Sequence, residues 1–151
     1  MVAPRKIDKE TAENDQWAIW NAAVDMLAME DLDLFSSIQT TASLVFWYQA
    51  ETMNGGHLQF FENRGSAEVP ATIDALKKMS VPQIGDILQE AIRLWESKER
   101  PPLETVDDFV AEALEEEFAD LDRRFYEADT DLQNALENYV LANRDEFVEI
   151  D

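Results

Sequence analysis

Apolar residues recur at three- and four-residue steps along almost the whole chain, and no convincing stretch alternates with period two. The first pattern paints a stripe down one face of an α-helix, whereas a half-buried strand requires the second. Trp17, Trp20, Val24, Leu27 and Ala28 trace such a face, widened by Ile19, Ala23 and Met26. The stretch SSIQTTASLVFWYQAETMN is apolar nearly all round from Leu44 to Tyr48, as a buried central helix should be. ATIDALKKM reads as a short helix. Ser80-Val81-Pro82-Gln83 then has the form of a capped helix start, and Ile84, Ile87, Leu88, Ala91, Ile92 and Trp95 follow as a stripe. Pro101-Pro102 ends that helix, because proline lacks a backbone donor and disfavours helix in the residue before it.

Beyond the prolines, Thr105 with Asp108 forms a second capping signal. Val106, Phe109, Val110, Ala113, Leu114, Phe118, Leu121 and Phe125 keep helical phase after it, which predicts one helix of about five turns. Thr130-Asp131-Leu132-Gln133 opens a last helix carrying Leu132, Ala135, Leu136, Tyr139, Val140 and Phe147. The expectation is an all-α fold: a single compact domain over residues 1–151, of about six or seven helices, with residues 1–10 a loose N-terminal segment.

Charge is the outlier in composition. Thirty-three acidic residues face twelve basic ones, a net charge of −21. Residues 1–102 hold 16 acids and 9 bases, residues 103–151 hold 17 acids and 3 bases, so a third of the length carries two thirds of the charge. Direct binding to nucleic acid or to an anionic membrane needs cationic surface and is excluded on this balance. A positively charged protein surface is the partner such a chain favours. There is no cysteine, no apolar leader and no run of 18 apolar residues, which fits a reducing, cytoplasmic setting without a membrane span.

The least ordinary stretch is YQAETMNGGHLQFFENRG, residues 48–65, with two of the four glycines and the single histidine. Glycine past the end of a helix adopts positive φ without a Cβ clash, so Gly55 and Gly56 suit a turn after Asn54. Phe60 and Phe61 suit a core plug, and Glu51, Asn54, Gln59 and Asn63 suit backbone groups freed at the junction. A catalytic reading would pair Glu51 with His57. It lacks support from motifs: there is no His-Glu-x-x-His, no second histidine for zinc, no Gly-x-Ser-x-Gly elbow and no phosphate loop. No catalytic residue, metal ligand or cofactor site is therefore assigned.

Glu51, Asn54, Gly55, Gly56, Gln59, Phe60, Phe61 and Asn63 resemble the signature of a bacterial family of small helical proteins that includes an acidic DNA mimic. In that family a helix ends Glu-x-x-Asn-Gly-Gly and is followed by Gln-Phe-Phe and Asn. ATIDALKKM, IGDILQEAI and LDRRFYEADTDLQNALENYVLANRDEF are also similar, so the likeness covers roughly residues 15–148. It implies an all-α fold and, for the member with a described activity, inhibition of a helix-turn-helix regulator through carboxylates that stand in for phosphates. Met79-Ser80-Val81-Pro82 departs from it, since the family usually has an Ile-Gly-Ala-like turn there.

The acidic C-terminal third supplies its own argument. Asp108, Glu112, Glu116 and Asp120 fall at four-residue steps, with Glu115 and Asp122 beside them, one ridge of the expected long helix. Each like-charge neighbour at that spacing costs roughly 0.2–0.5 kcal/mol. No lysine interrupts the row before Arg123. The sequence therefore points to an outward row of carboxylates that a DNA-binding regulator would accept in place of phosphates. An immunity or antitoxin protein that neutralises a basic nuclease or toxin fits the same charge, an enzyme using Glu51 and His57 fits it less well, and a homodimer is compatible with it.

Overall fold

The computed structural model describes residues 2–151 and is 72% helical. Among the described residues eight α-helices follow in order: α1 (Lys9–Asn14), α2 (Ala18–Met29), α3 (Ser37–Arg64), α4 (Val69–Lys78), α5 (Pro82–Glu96), α6 (Val106–Ala113), α7 (Ala119–Glu127) and α8 (Asp129–Ala142). Two short strands, β1 (Arg5–Ile7) and β2 (Val148–Ile150), pair in parallel with Arg5 opposite Val148 and Ile7 opposite Ile150. The all-α class stands, with this minimal sheet added. Three residues per strand are too few for alternation to show in a sequence.

The sheet changes the reading of the N-terminal segment expected over residues 1–10, of which residue 1 lies outside the described residues. Residues 2–10 are tied down rather than loose: β1 pairs with β2, Arg5 binds Asp25 and Glu30 at 2.9 Å each, and Asp8 caps α1 by accepting from Thr11 N. Gln39 fastens the same corner. Its amide donates to Val2 O (3.0 Å) and Glu146 O (2.8 Å), so one buried side chain near the start of α3 joins both ends of the chain.

The central element α3 begins with a reciprocal capping box between Ser36 and Gln39 and spans 28 residues in two helical halves, with non-helical backbone at Gly55 and Gly56 between them. Its buried residues include Ala42, Val45, Tyr48, Leu58, Phe60 and Phe61. Helix α8 packs Leu132, Leu136 and Val140 against it, while α5 sets the stripe Ile84, Ile87, Leu88, Ala91 and Ile92 into the same core against α4 and α7. These positions are the ones the three- and four-residue periodicity selects, because burying that stripe is what stabilises an amphipathic helix.

Three local expectations fail. Thr130 does not cap α8, which starts at Asp129 with no side-chain cap. Ser80 does not cap α5 either, whose N-cap is Val81. The five-turn helix after Thr105 is two helices, α6 and α7, separated by a turn in which Glu116 has φ 55°.

Ser80 instead terminates α4. It sits at φ 64°, its N–H bonds Lys77 O and the next N–H, of Val81, bonds Leu76 O, both at 3.0 Å. This is a Schellman ending, in which the left-handed position usually belongs to glycine. A serine there carries a steric cost of roughly 1 kcal/mol. Ser80→Gly should therefore stabilise the protein by about that amount, read as a higher denaturation midpoint at unchanged slope.

Candidate partner-binding surface

The two glycines of the unusual stretch interrupt α3 as the sequence predicts, ending its first half after Asn54. Gly55 (φ −149°, ψ 22°) and Gly56 (φ 73°, ψ −175°) are non-helical, and the second half of the helix restarts behind them. A restarted helix has unsatisfied N–H groups. The carboxylate of Asp122, on α7, meets this need: Oδ1 accepts from His57 N at 2.8 Å and from His57 Nδ1 at 2.6 Å. A Cβ on Gly56 would collide with that carboxylate, and one on Gly55 with Gln59. Gly56 is thus required twice, by its φ and by the close approach of Asp122.

His57 is wholly buried among Tyr48, Phe61, Phe118 and Phe125. The Asp122 carboxylate accepts from Nδ1 of the ring, and Nε2 is hydrogen-bonded to the Tyr48 hydroxyl at 2.8 Å. Burial, and then the charge of Asp122, raises the Tyr48 pKa well above its ordinary value and keeps the hydroxyl protonated. The polar residues of the motif are likewise used internally. Glu51 Oε2 accepts from Gln59 Nε2 (3.0 Å) and Asn63 Nδ2 (2.7 Å), and Asn54 Nδ2 donates to Gln59 Oε1 (3.1 Å), which spans the bend. Phe60 and Phe61 are buried in the core. Glu51 and His57 thus belong to separate networks, with no hydrogen bond joining them as the catalytic reading would need.

The acidic residues selected from the sequence do not form one ridge. The turn between α6 and α7 breaks the row after Glu112. Asp108 is exposed but serves the Thr105 capping box. Glu112 lies 3.8 Å from Lys98 and 3.6 Å from Arg100, and Glu115 lies 4.0 Å from Lys98. Asp120 pairs with Arg123 at 2.6 Å and Arg124 at 3.8 Å. Asp122 points inward at His57. Of the six, Glu116 alone is an exposed carboxylate with neither an ion pair nor a capping role among the described residues.

Sequence reasoning missed Arg100 and Glu117. Arg100 sits over the Trp95 ring, 4.5 Å from its centroid, and donates to Trp95 O (2.9 Å) and Leu94 O (3.2 Å) at the end of α5. It also grips both oxygens of Glu117 and so fastens the α6–α7 turn to the body. The hydrogen bonds from Arg100 hold the Glu117 carboxyl below its ordinary range. Nearby, burial and the neighbouring Glu112 push the Glu62 carboxyl up, against the pull of Arg100. The sequence shows Lys98 and Arg100 before the Pro-Pro break and the glutamates after it, but nothing local says that the chain folds back.

Helix α6 buries no residue. Val106 (80% exposed), Val110 and Leu114 (76%), expected in the core, face solvent, while Phe109 packs against the core from another side of the same helix. The exposed carboxylates of Glu104, Asp107 and Glu116 lie on the same helix and its flanks. The result is a surface on which apolar side chains stand among anionic ones.

Among the described residues no group of His, Cys, Asp and Glu is arranged to hold a metal ion, and no helix is long and apolar enough to cross a membrane. A family model described as "DMP19-like protein" matches residues 33–143, from just before α3 to just past α8. No curated protein and no solved structure matches the chain.

Gly56 and Gly65 provide a paired test, since both have φ near +70° but only Gly56 has a neighbour in the way. Gly65→Ala should cost about 1–3 kcal/mol from backbone strain alone. Gly56→Ala should cost at least about 2 kcal/mol more by displacing a charge-assisted hydrogen bond, measured by denaturant unfolding. Glu62 gives a pH test. Its folded pKa is raised, so the stability it contributes is present in acid and lost as pH rises through the folded value. Glu62→Gln should therefore raise the Tm at pH 7 and leave it nearly unchanged below the ordinary glutamate pKa of 4.5.

Proposed function

The chain belongs to the DMP19-like family, named for DNA mimic protein 19, and on that premise we propose that it is an acidic protein-binding module occupying the nucleic-acid-binding surface of a transcription regulator. The observation that carries the reading is the α6 face with its flanks. Glu104, Asp107, Asp108 and Glu116 are exposed there without ion pairs among the described residues, beside Val106, Val110 and Leu114. A regulator's DNA-binding surface offers Lys and Arg for phosphates together with apolar contacts for bases, and this face answers both. The net charge of −21 steers encounter with such a surface and makes association fast and salt-sensitive.

In this reading the mimicry does not need a straight row of carboxylates. Acids neutralised by Lys98, Arg100, Arg123 and Arg124 contribute little field at the surface, and those without a partner contribute most. A basic nuclease or toxin meets the same electrostatics, so the immunity-type reading differs only in what is captured. A regulator would be released by excess operator duplex, whereas a toxin would lose its activity.

Reversing Glu104, Asp107 and Glu116 to Lys should weaken partner capture at least tenfold, about 1.4 kcal/mol, and flatten its salt dependence. The same reversal at Asp74, Asp86 and Glu96, equally exposed on α4 and α5, should do much less. Equal loss from both triples would mean that total charge alone drives binding. No loss from the first would remove the α6 face from the interface.

A further inference from the structure

A cavity of about 350 Å³ opens between the C-terminal end of α2, the side of α3 and the head of α4. It is distinct from the α6 face, and its volume is in the range of small-ligand sites. Leu44, Trp47, Phe60 and Val69 supply an apolar lining. The indole is held in place, because Trp47 Nε1 donates to Leu27 O at 3.2 Å and its ring packs edge-on against Phe46. Such a lining receives an apolar body without having to be assembled first.

The polar part of the cavity is unbalanced toward the anionic. Glu30 is answered by Arg5 at 2.9 Å, and Arg64, stacked 3.6 Å over Trp47, has Glu51 at 4.0 Å. Asp31 and Glu68 also line the cavity and have no cationic partner among the described residues. The helix α2 ends here with no basic residue in its last turn, so its carbonyl end adds negative potential.

A second, independent observation comes from Ser43. It lines the cavity and is only 3% exposed, yet its hydroxyl takes part in no hydrogen bond among the described residues. The nearby buried threonines behave differently: Thr41 and Thr72 each donate to the carbonyl one turn back, at 3.0 and 2.8 Å. Nor is the Ser43 oxygen sealed off, since among the described residues the one wholly enclosed side-chain oxygen or nitrogen without a partner is that of Thr52. A hydroxyl that lines a cavity and has no protein partner is left to bond whatever occupies the cavity.

We propose that this cavity binds a small organic cation, an ammonium group carried on an apolar or aromatic body. The body lies against Leu44, Trp47 and Phe60. The ammonium is held by the carboxylates of Asp31 and Glu68, and the Ser43 hydroxyl accepts from one of its N–H groups. Neither an anion nor a neutral molecule of the same shape satisfies these groups equally.

The test uses the full chain and three probes of one shape: 2-phenylethylammonium, 2-phenylethanol and phenylacetate. Followed by two-dimensional amide NMR, the ammonium should give saturable shifts confined to residues 28–32, 43–47 and 68–72. The alcohol should bind at least fivefold more weakly, and the acid more weakly still. Asp31→Asn with Glu68→Gln, both at exposed positions, should lower affinity for the ammonium at least fivefold and leave the alcohol unchanged. Ser43→Ala should also weaken the ammonium. Equal affinity for all three probes, shifts that spread over the acidic surface without saturating, or indifference to the double substitution would each overturn the assignment. None of these outcomes bears on the α6 face, so the two readings fail separately.

Discussion

One carboxylate organises the centre of this protein. Asp122 reaches from α7 to the bend in α3 and accepts from both the main chain and the ring of His57, 65 residues away in sequence. It acts as a helix cap supplied from a distant part of the chain, satisfying a donor that the bend would otherwise leave orphaned. The arrangement dictates its neighbours. Residue 56 must be glycine so that the carboxylate can approach, the ring nitrogen facing Asp122 must donate, and the other ring nitrogen is met by the Tyr48 hydroxyl. Burial of such a network is tolerable only because each member is paired. The same bond draws one of the most conspicuous acids of the C-terminal third away from any partner.

A second consequence concerns charge. A net charge of −21 suggests a uniformly anionic surface, but the acids differ greatly in what they can offer. Around Arg100 and Lys98 the carboxylates of Glu112, Glu115 and Glu117 serve to hold the α6–α7 turn against α5. That tether compensates for a helix that packs Phe109 against the core but fully buries no side chain. Charge employed in attachment is screened from an incoming cation, whereas charge on Glu104, Asp107 and Glu116 is not. Electrostatic recognition by this molecule therefore depends on which acids lack an internal partner, a property of the fold rather than of composition.

The helices were largely legible in the sequence because an amphipathic stripe is a local record of burial. Ile84 through Ile92 on α5 and Leu132 through Val140 on α8 lie in the core where their spacing puts them. The α6–α7 region was misread for an equally physical reason. Phe109, Phe118, Leu121 and Phe125 keep one phase across the break, so periodicity alone could not reveal that Glu116 adopts left-handed φ. Val106 and Val110 then appeared to share a buried stripe that the short helix does not bury. Capping signals at Ser80 and Thr130 failed because they are permissive: the same residues suit a turn as well as a helix start. The ion pairs of Lys98 and Arg100 were invisible, since they depend on the chain doubling back after Pro101-Pro102.

These points separate what the family signature does from where binding would occur. Glu51, Asn54, Gln59 and Asn63 spend their polar groups on one another across the bend, and Phe60 and Phe61 spend their rings on the core. A motif whose members are engaged with one another in this way serves the scaffold first. Function must then reside on residues outside it, because a fold can be kept while its surface is exchanged. In the readings proposed for this chain those residues are the unpaired acids and solvent-facing valines of α6, and separately the cavity where Asp31, Glu68 and the Ser43 hydroxyl lack partners among the described residues. Both places have the same physical character. They hold groups whose desolvation or field the fold does not compensate, and that is the condition under which a binding partner gains free energy by arriving.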